Sequence, residues 1–183
     1  CSEILVFSHS SKEIMLKAFP SITDNLIVKE HSMSYFKPKE TFKWSPKPIR
    51  IGILGNIYKA KGAEVVDSLS DYLYENSPQT EICIFGRYGG NTTNNNLHVI
   101  GEYTLDDLQG LVEQRGITVF LMPSICPETF SYTTHELVLM QYPVVAFNLG
   151  AQAEKIASYE KGLLVESSVS PGVLYKALQS ISA

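Results

Sequence analysis

The chain has 183 residues, 44% of them hydrophobic and 19% charged, with a formal net charge of −4. This composition excludes intrinsic disorder, and the negative charge argues against a non-specific nucleic-acid binder. No apolar run approaches the ~18 residues of a membrane span, and no secretory-signal pattern is visible.

Glu3–Phe7 is an apolar run of strand length, Ser10 to Glu13 fits a capping box that opens a short helix closed by Pro20, and Asn25–Lys29 reads as a second strand. These elements are too few to bury a core and read as the remnant, over 1–31, of an upstream α/β domain. The chain begins without Met and inside a strand-like pattern, which suggests a piece of a longer protein. Residues 32–48 carry Pro38, Pro46 and Pro48 among several lysines and lack periodicity, as a linker does. Phe42 and Trp44 there are expected to pack on a domain surface.

From Ile49 to Ala183 strands and helices alternate. Strands are expected at 49–54, 81–85, 97–100, 117–122, 144–147 and 162–165. Helices are expected at 63–76, from Thr104 with Asp107 completing a capping box, at 132–141, near 151–158 and at 173–181. This order predicts an α/β fold: a Rossmann-like, doubly wound, mainly parallel sheet, with ligands bound beyond the carboxyl ends of the strands. Asn91–Asn96 reads as a mobile polar loop. Cys1, Cys83 and Cys126 are too widely spaced for a metal or disulfide framework. Cys83 reads as a buried thiol, and the cytoplasm is the natural compartment.

Four loops follow strands and can carry chemistry. Gly55 to Gly62, with Lys59 and Lys61, is either an anion-binding turn or a solvated lysine loop, and lacks the order of a Walker or dinucleotide fingerprint. Gly86 to Gly90 can approach a flat ligand or simply turn. Pro123 to Glu136 is the richest. It carries Glu128 and Glu136, and the hydroxyls of Ser131, Thr133 and Thr134 stand at a helix start whose free amides suit an anion. Paired carboxylates suit the diols of a ribose or sugar, though two surface glutamates would look the same. His135 points away from Glu136 and reads as structural, as do His9 and His31. In Pro143 to Glu154, Gly150 can admit a sugar or phosphate, and Glu154 suits the first turn of its own helix.

Together these loops resemble the C-terminal, donor-side domain of group 1 (family 4 type) retaining glycosyltransferases of the GT-B fold. The resemblance rests on Gly55 with Lys61-Gly62, Pro123-Ser124 with Glu128 and Glu136, Pro143-Val144-Val145, Gly150 to Glu154, the glycine ending the second strand, and Gly101-Glu102. It implies that the domain binds a nucleoside-diphosphate sugar, with Lys61 and Glu128 catalytic. Lys61 would neutralise the diphosphate beside the amides at Ser131, Tyr132 and Thr133. Glu128 would hold the donor sugar and Glu136 the ribose. Gly86, Arg87 and Gly101 would line the base, and Gly55, Asn56, Lys59 and Phe130 would complete the donor site. Transfer with retention, independent of metal and cofactor, is expected in polysaccharide biosynthesis. The glycan or lipid acceptor would be reached through an upstream domain, so this segment alone should turn over poorly. The full protein is expected in the cytoplasm, with membrane association at the inner face an option.

The sequence departs from the family pattern at Asn56, where an Arg is usual, and at Ser131, Leu137 and Tyr142, where Gly, Ala and Gly are usual. Lys59 or Arg87 could replace the lost cation. A non-catalytic nucleotide-sugar-binding module and a GT-B nucleotide-sugar epimerase are the competing readings. A glycosidase and a nicotinamide dehydrogenase fit less well.

Overall fold

The computed structural model describes residues 3–38 and 48–182; Phe42 and Trp44 lie outside them. The chain opens with β1 (Ile4–Val6), α1 (His9–Ala18), a 3-10 turn over Pro20–Asn25, and β2 (Leu26–Val28). β1 and β2 pair in parallel as a separate two-stranded sheet. The expected cap at Ser10 moves to Ser8, whose hydroxyl accepts the Ser11 amide at 3.2 Å. Ser10 is already inside the first turn, and its amide is taken by a remote side chain. The Glu154 carboxylate accepts the N–H groups of His9 at 2.8 Å and Ser10 at 2.6 Å. Glu154 therefore serves the N-terminus of α1 and not that of its own helix. The expected self-capping role is corrected.

The second unit comprises β3 (Arg50–Leu54), α2 (Ala63–Asn76), β4 (Glu81–Phe85), β5 (Leu97–Gly101), α3 (Leu105–Gln114), β6 (Val119–Met122), α4 (Tyr132–Leu139), β7 (Val144–Phe147), α5 (Gly150–Ala157), β8 (Gly162–Val165) and α6 (Pro171–Ile181). The six strands form one sheet in the order β5-β4-β3-β6-β7-β8, and each pair is parallel. This is the doubly wound Rossmann-like arrangement. Burial on both faces explains why β3, β4, β6 and β7 read as continuous apolar runs.

Alternate strand residues feed two cores. Leu54, Phe85, Phe120 and Val144 pack with Leu108 and Val112 of α3, Leu137 of α4 and Ile156 of α5. Ile53, Ile84, Leu121 and Val145 pack with Val66, Leu69 and Leu73 of α2 and Leu174 and Leu178 of α6. Cys83 is buried as expected, and burial pushes its thiol pKa up. α3 keeps its Thr104 N-cap, the hydroxyl accepting the Asp107 amide, but the Asp107 carboxylate accepts from that hydroxyl at 2.6 Å where a full capping box would have it accept from the Thr104 amide. α4 ends before Gln141, which takes a left-handed φ of 61° and cannot continue the helix.

The polar loop before β5 is not the loose span its composition suggests. Asp67 of α2 accepts the amides of Asn91 and Thr92 and the Tyr88 hydroxyl. Asn96 is buried, accepting the Ser70 hydroxyl and donating to the Ser70 carbonyl. Among the described residues no helix is long and apolar enough to cross a membrane.

Candidate functional site

The order of connections reverses between β3 and β6, which lie side by side at the centre of the sheet. Loops leaving the carboxyl ends of such neighbours diverge to opposite sides and leave a crevice. Here the crevice is a cleft of about 270 Å³. Its walls include Gly55, Asn56, Ile57 and Lys61 after β3, and Ser124, Glu128, Phe130, Tyr132 and Thr133 after β6. A larger depression of about 780 Å³ runs along α3, but Glu102, Asp106, Asp107 and Glu113 line it. Those carboxylates would repel a diphosphate, so the smaller cleft is the candidate site.

Two close approaches hold its walls. Gly62 has a φ of +85°, and a Cβ there would collide with the Pro123 carbonyl oxygen. The Lys61-Gly62 pair thus lets the loop after β3 touch the loop after β6 while presenting its lysine. Gly150 has a φ of +65°, and a Cβ there would lie 2.7 Å from the Glu128 nitrogen. The space at Gly150 is filled by the Pro127–Glu128 backbone, and the Glu128 carbonyl accepts the Ala151 amide at 3.0 Å. The expectation that a ligand approaches Gly150 is corrected: that glycine fixes Glu128 instead.

Lys61 Nζ and Glu128 Oε1 meet at 2.8 Å, with side-chain exposures of 43% and 12%. The cleft therefore holds a cation and a mostly buried carboxylate in direct contact. Beside them begins α4, whose N-cap, Ser131, makes no side-chain capping bond. Its first-turn amides lack a side-chain acceptor and present the positive end of the helix dipole.

The other expected site residues divide. Gly55, Asn56, Phe130, Tyr132 and Thr133 line the cleft, and Ser131 lies buried between them. Lys59 does not join them; its ammonium pairs with Glu64 at 3.4 Å and is fully at the surface. Arg87 pairs with Glu102 at 2.6 Å beyond β4 and β5. Gly86 donates to the Gly101 carbonyl at 2.8 Å, so these two glycines form the far rim beside that ion pair. Asn56 Oδ1 accepts the Arg87 amide at 3.1 Å, tying the cleft wall to that rim.

Glu136 is buried one turn into α4 and does not line the cleft. Burial raises its pKa to about 7, opposed by a hydrogen bond from the Tyr103 hydroxyl, and its Oε2 has no hydrogen-bond partner. Tyr103 gave no signal in the sequence: it is an isolated tyrosine after β5, brought to Glu136 only by packing. The order of motifs could not reveal it.

Residues 48–182 match the family of glycosyl transferases group 1. The chain belongs to this family. Among solved structures, TarM superposes with a TM-score of 0.76 at 16% identity, covering 99% of this chain and 36% of TarM. HepE of Anabaena in complex with UDP-glucose gives 0.71 at 17% identity, covering 100% and 57%. The lipopolysaccharide outer core galactosyltransferase WaaB gives 0.72 at 16%, covering 100% and 54%. These superpositions, at identities below 20%, establish the GT-B fold alone, and this chain spans between about a third and three fifths of those proteins. Comparison with curated proteins gives no match.

Within this member of the group 1 family the departures from pattern have packing reasons. Leu137 is fully buried in the core that α3, α4 and α5 cover. Tyr142 sets its ring edge-on to Phe120 at 5.2 Å, and its carbonyl accepts the Tyr159 hydroxyl. Ser131 accepts the Thr134 hydroxyl at 2.8 Å inside the first turn of α4. Asn56 substitutes a backbone tie for a cation.

Proposed function

We propose that this chain is the donor-binding half of a glycosyltransferase that moves a sugar from a nucleoside-diphosphate sugar to a glycan or lipid acceptor, with retention. The observation that carries the reading is the Lys61–Glu128 contact beside the uncapped start of α4, at the switch point of the sheet. An arriving diphosphate takes Lys61 and the α4 amides. Glu128, released from its cation, accepts hydroxyls of the donor sugar. The same positive groups meet the charge that grows on the leaving diphosphate, and a positioned donor of this kind supplies about 3–4 kcal/mol to the transition state. Transfer is metal-independent in this reading. The acceptor binds largely outside this segment, and the whole protein works at the cytoplasmic side in building a polysaccharide or glycolipid.

Calorimetry with UDP-, GDP-, ADP- and dTDP-sugars, in the presence of a chelator, tests it. One of them binds saturably, and Lys61→Ala weakens that binding at least about tenfold, equivalent to 1.4 kcal/mol. A folded chain that binds none of them overturns the reading. A non-catalytic nucleotide-sugar-binding module has one observation in its favour: Asn56 brings no charge to the cleft wall, and Lys59 and Arg87 are both paired outside the cleft. Robust transfer by the full-length protein excludes it, whereas activity appearing only with Asn56→Arg supports it.

A further inference from the structure

The donor site as described makes no use of His135. Its ring is buried in the first turns of α4. Nδ1 lies 2.8 Å from the Ser131 carbonyl, which can only accept, so Nδ1 carries the hydrogen of the neutral ring. That leaves a lone pair on Nε2, which is buried without a hydrogen-bond partner. Glu30 Oε2, just after β2, lies 3.6 Å from it. A lone pair and a carboxylate face each other with no proton between them.

The surroundings join the same two units. Phe130 stacks on His135 at 4.3 Å and meets His31 edge-on at 5.0 Å, and His31 stacks on Phe7 at 3.9 Å. Phe7, Glu30 and His31 thus come from the β1–β2 unit onto the loop that ends in Ser131. The other ionic neighbour is Lys155 of α5, whose Nζ is 3.9 Å from the same Glu30 oxygen.

We propose that Glu30 and His135 form a positioning pair that acts through the Ser131 carbonyl, coupling the seating of the β1–β2 unit to anion binding at the first turn of α4. The proposal rests on the donor-site reading for the identity of the anion. A proton on Nε2 turns the Glu30 contact into a charge-assisted hydrogen bond. Burial opposes that proton most and, with Lys155, keeps the ring's pKa below its ordinary value; the hydrogen bond to the Ser131 carbonyl and the Glu30 carboxylate favour the proton, and His31 faces the ring only across Phe130. A diphosphate at the α4 amides adds negative charge close by and favours the proton further. Nucleotide binding is then accompanied by proton uptake at His135, which draws Glu30 in and fixes the β1–β2 unit.

The test uses this chain with Glu30→Gln, His135→Gln and the double variant, titrated with UDP, GDP, ADP and dTDP in buffers of different ionisation enthalpy. Each single variant weakens the nucleotide that binds by about threefold to tenfold, and the double variant is no weaker than the worse single. Buffer-dependent heat reveals proton uptake in the wild type and disappears in His135→Gln. By NMR the His135 ring titrates at lower pH in Glu30→Gln. Additive losses, or the same proton uptake in His135→Gln, overturn the pair. A wild type that binds no nucleoside diphosphate overturns the donor reading; the pair is then decided by the NMR titration, where an unchanged His135 midpoint in Glu30→Gln refutes it and a lowered one upholds it.

Discussion

Glu136 is buried with one oxygen unpartnered, and its pKa stands at about 7 against an ordinary 4.5. A raised folded-state value means that its contribution to stability is fully present below pH 4.5 and is lost as pH rises through about 7. The loss is on the order of 3 kcal/mol at most. Glu136→Gln is therefore expected to resist urea better than the wild type at pH 8, the two converging near pH 4, as equilibrium unfolding at both pH values will show. At Glu128, Gln substitution keeps the shape but loses charge. Transfer by the full-length protein should fall at least about tenfold while nucleoside-diphosphate affinity changes less than about threefold, a split that steady-state kinetics and calorimetry resolve. Lys61 and Glu128 could be singled out in the sequence because each follows a strand beside a glycine or a proline, and because the order of these motifs resembles that of the group 1 family. Glu30 and Tyr103 were not, because only tertiary packing brings them to α4.

Individual elements were legible where burial is one-sided in its demands. β3, β4, β6 and β7 lie between two helical layers, so they are short continuous apolar runs, which their length and flanking glycines and prolines mark as strands. Helix ends were read less well. Ser8 and Ser10 offer the same hydroxyl, and the choice between them depends on Glu154 taking the Ser10 amide. The entry to α2 gives a sharper test. Gly62→Ala meets both a left-handed backbone and the Pro123 carbonyl. It should cost more than about 2 kcal/mol in denaturant unfolding and weaken nucleotide binding at concentrations where the variant is still folded.

For the whole molecule, the small β1–β2 sheet and the six-stranded sheet share no strand, and α1 meets α5 through Glu154. Burial pushes the Glu154 pKa up, but the hydrogen bonds from the Ser10 amide and hydroxyl and from the His9 amide together outweigh it and hold the pKa below its usual value. Its contribution is thus present above pH 4.5 and lost as pH falls through the lowered value. Glu154→Ala should speed amide hydrogen exchange in α1 and β2 at neutral pH and leave the protection of β3 and β6 unchanged. The alternation of strands and helices announced the large sheet. The contacts that attach the small one, the Glu154 carboxylate on the start of α1 and the rings of Phe7 and His31 against Phe130, join residues far apart in the chain.

The loops around the cleft are locked to one another by backbone. Gly62 abuts Pro123, Gly150 abuts Glu128, Ile125 donates to the Ala60 carbonyl, and Ile57 exchanges bonds with Arg87 and Gly89. A receptor built this way has already spent its conformational entropy in folding. Little ordering of its own loops is left for a ligand to drive, so these loops should add no coupled-folding component to the heat-capacity change on association. Differences in donor preference among chains sharing this frame then fall to the side chains lining it, which can be exchanged without redrawing the backbone.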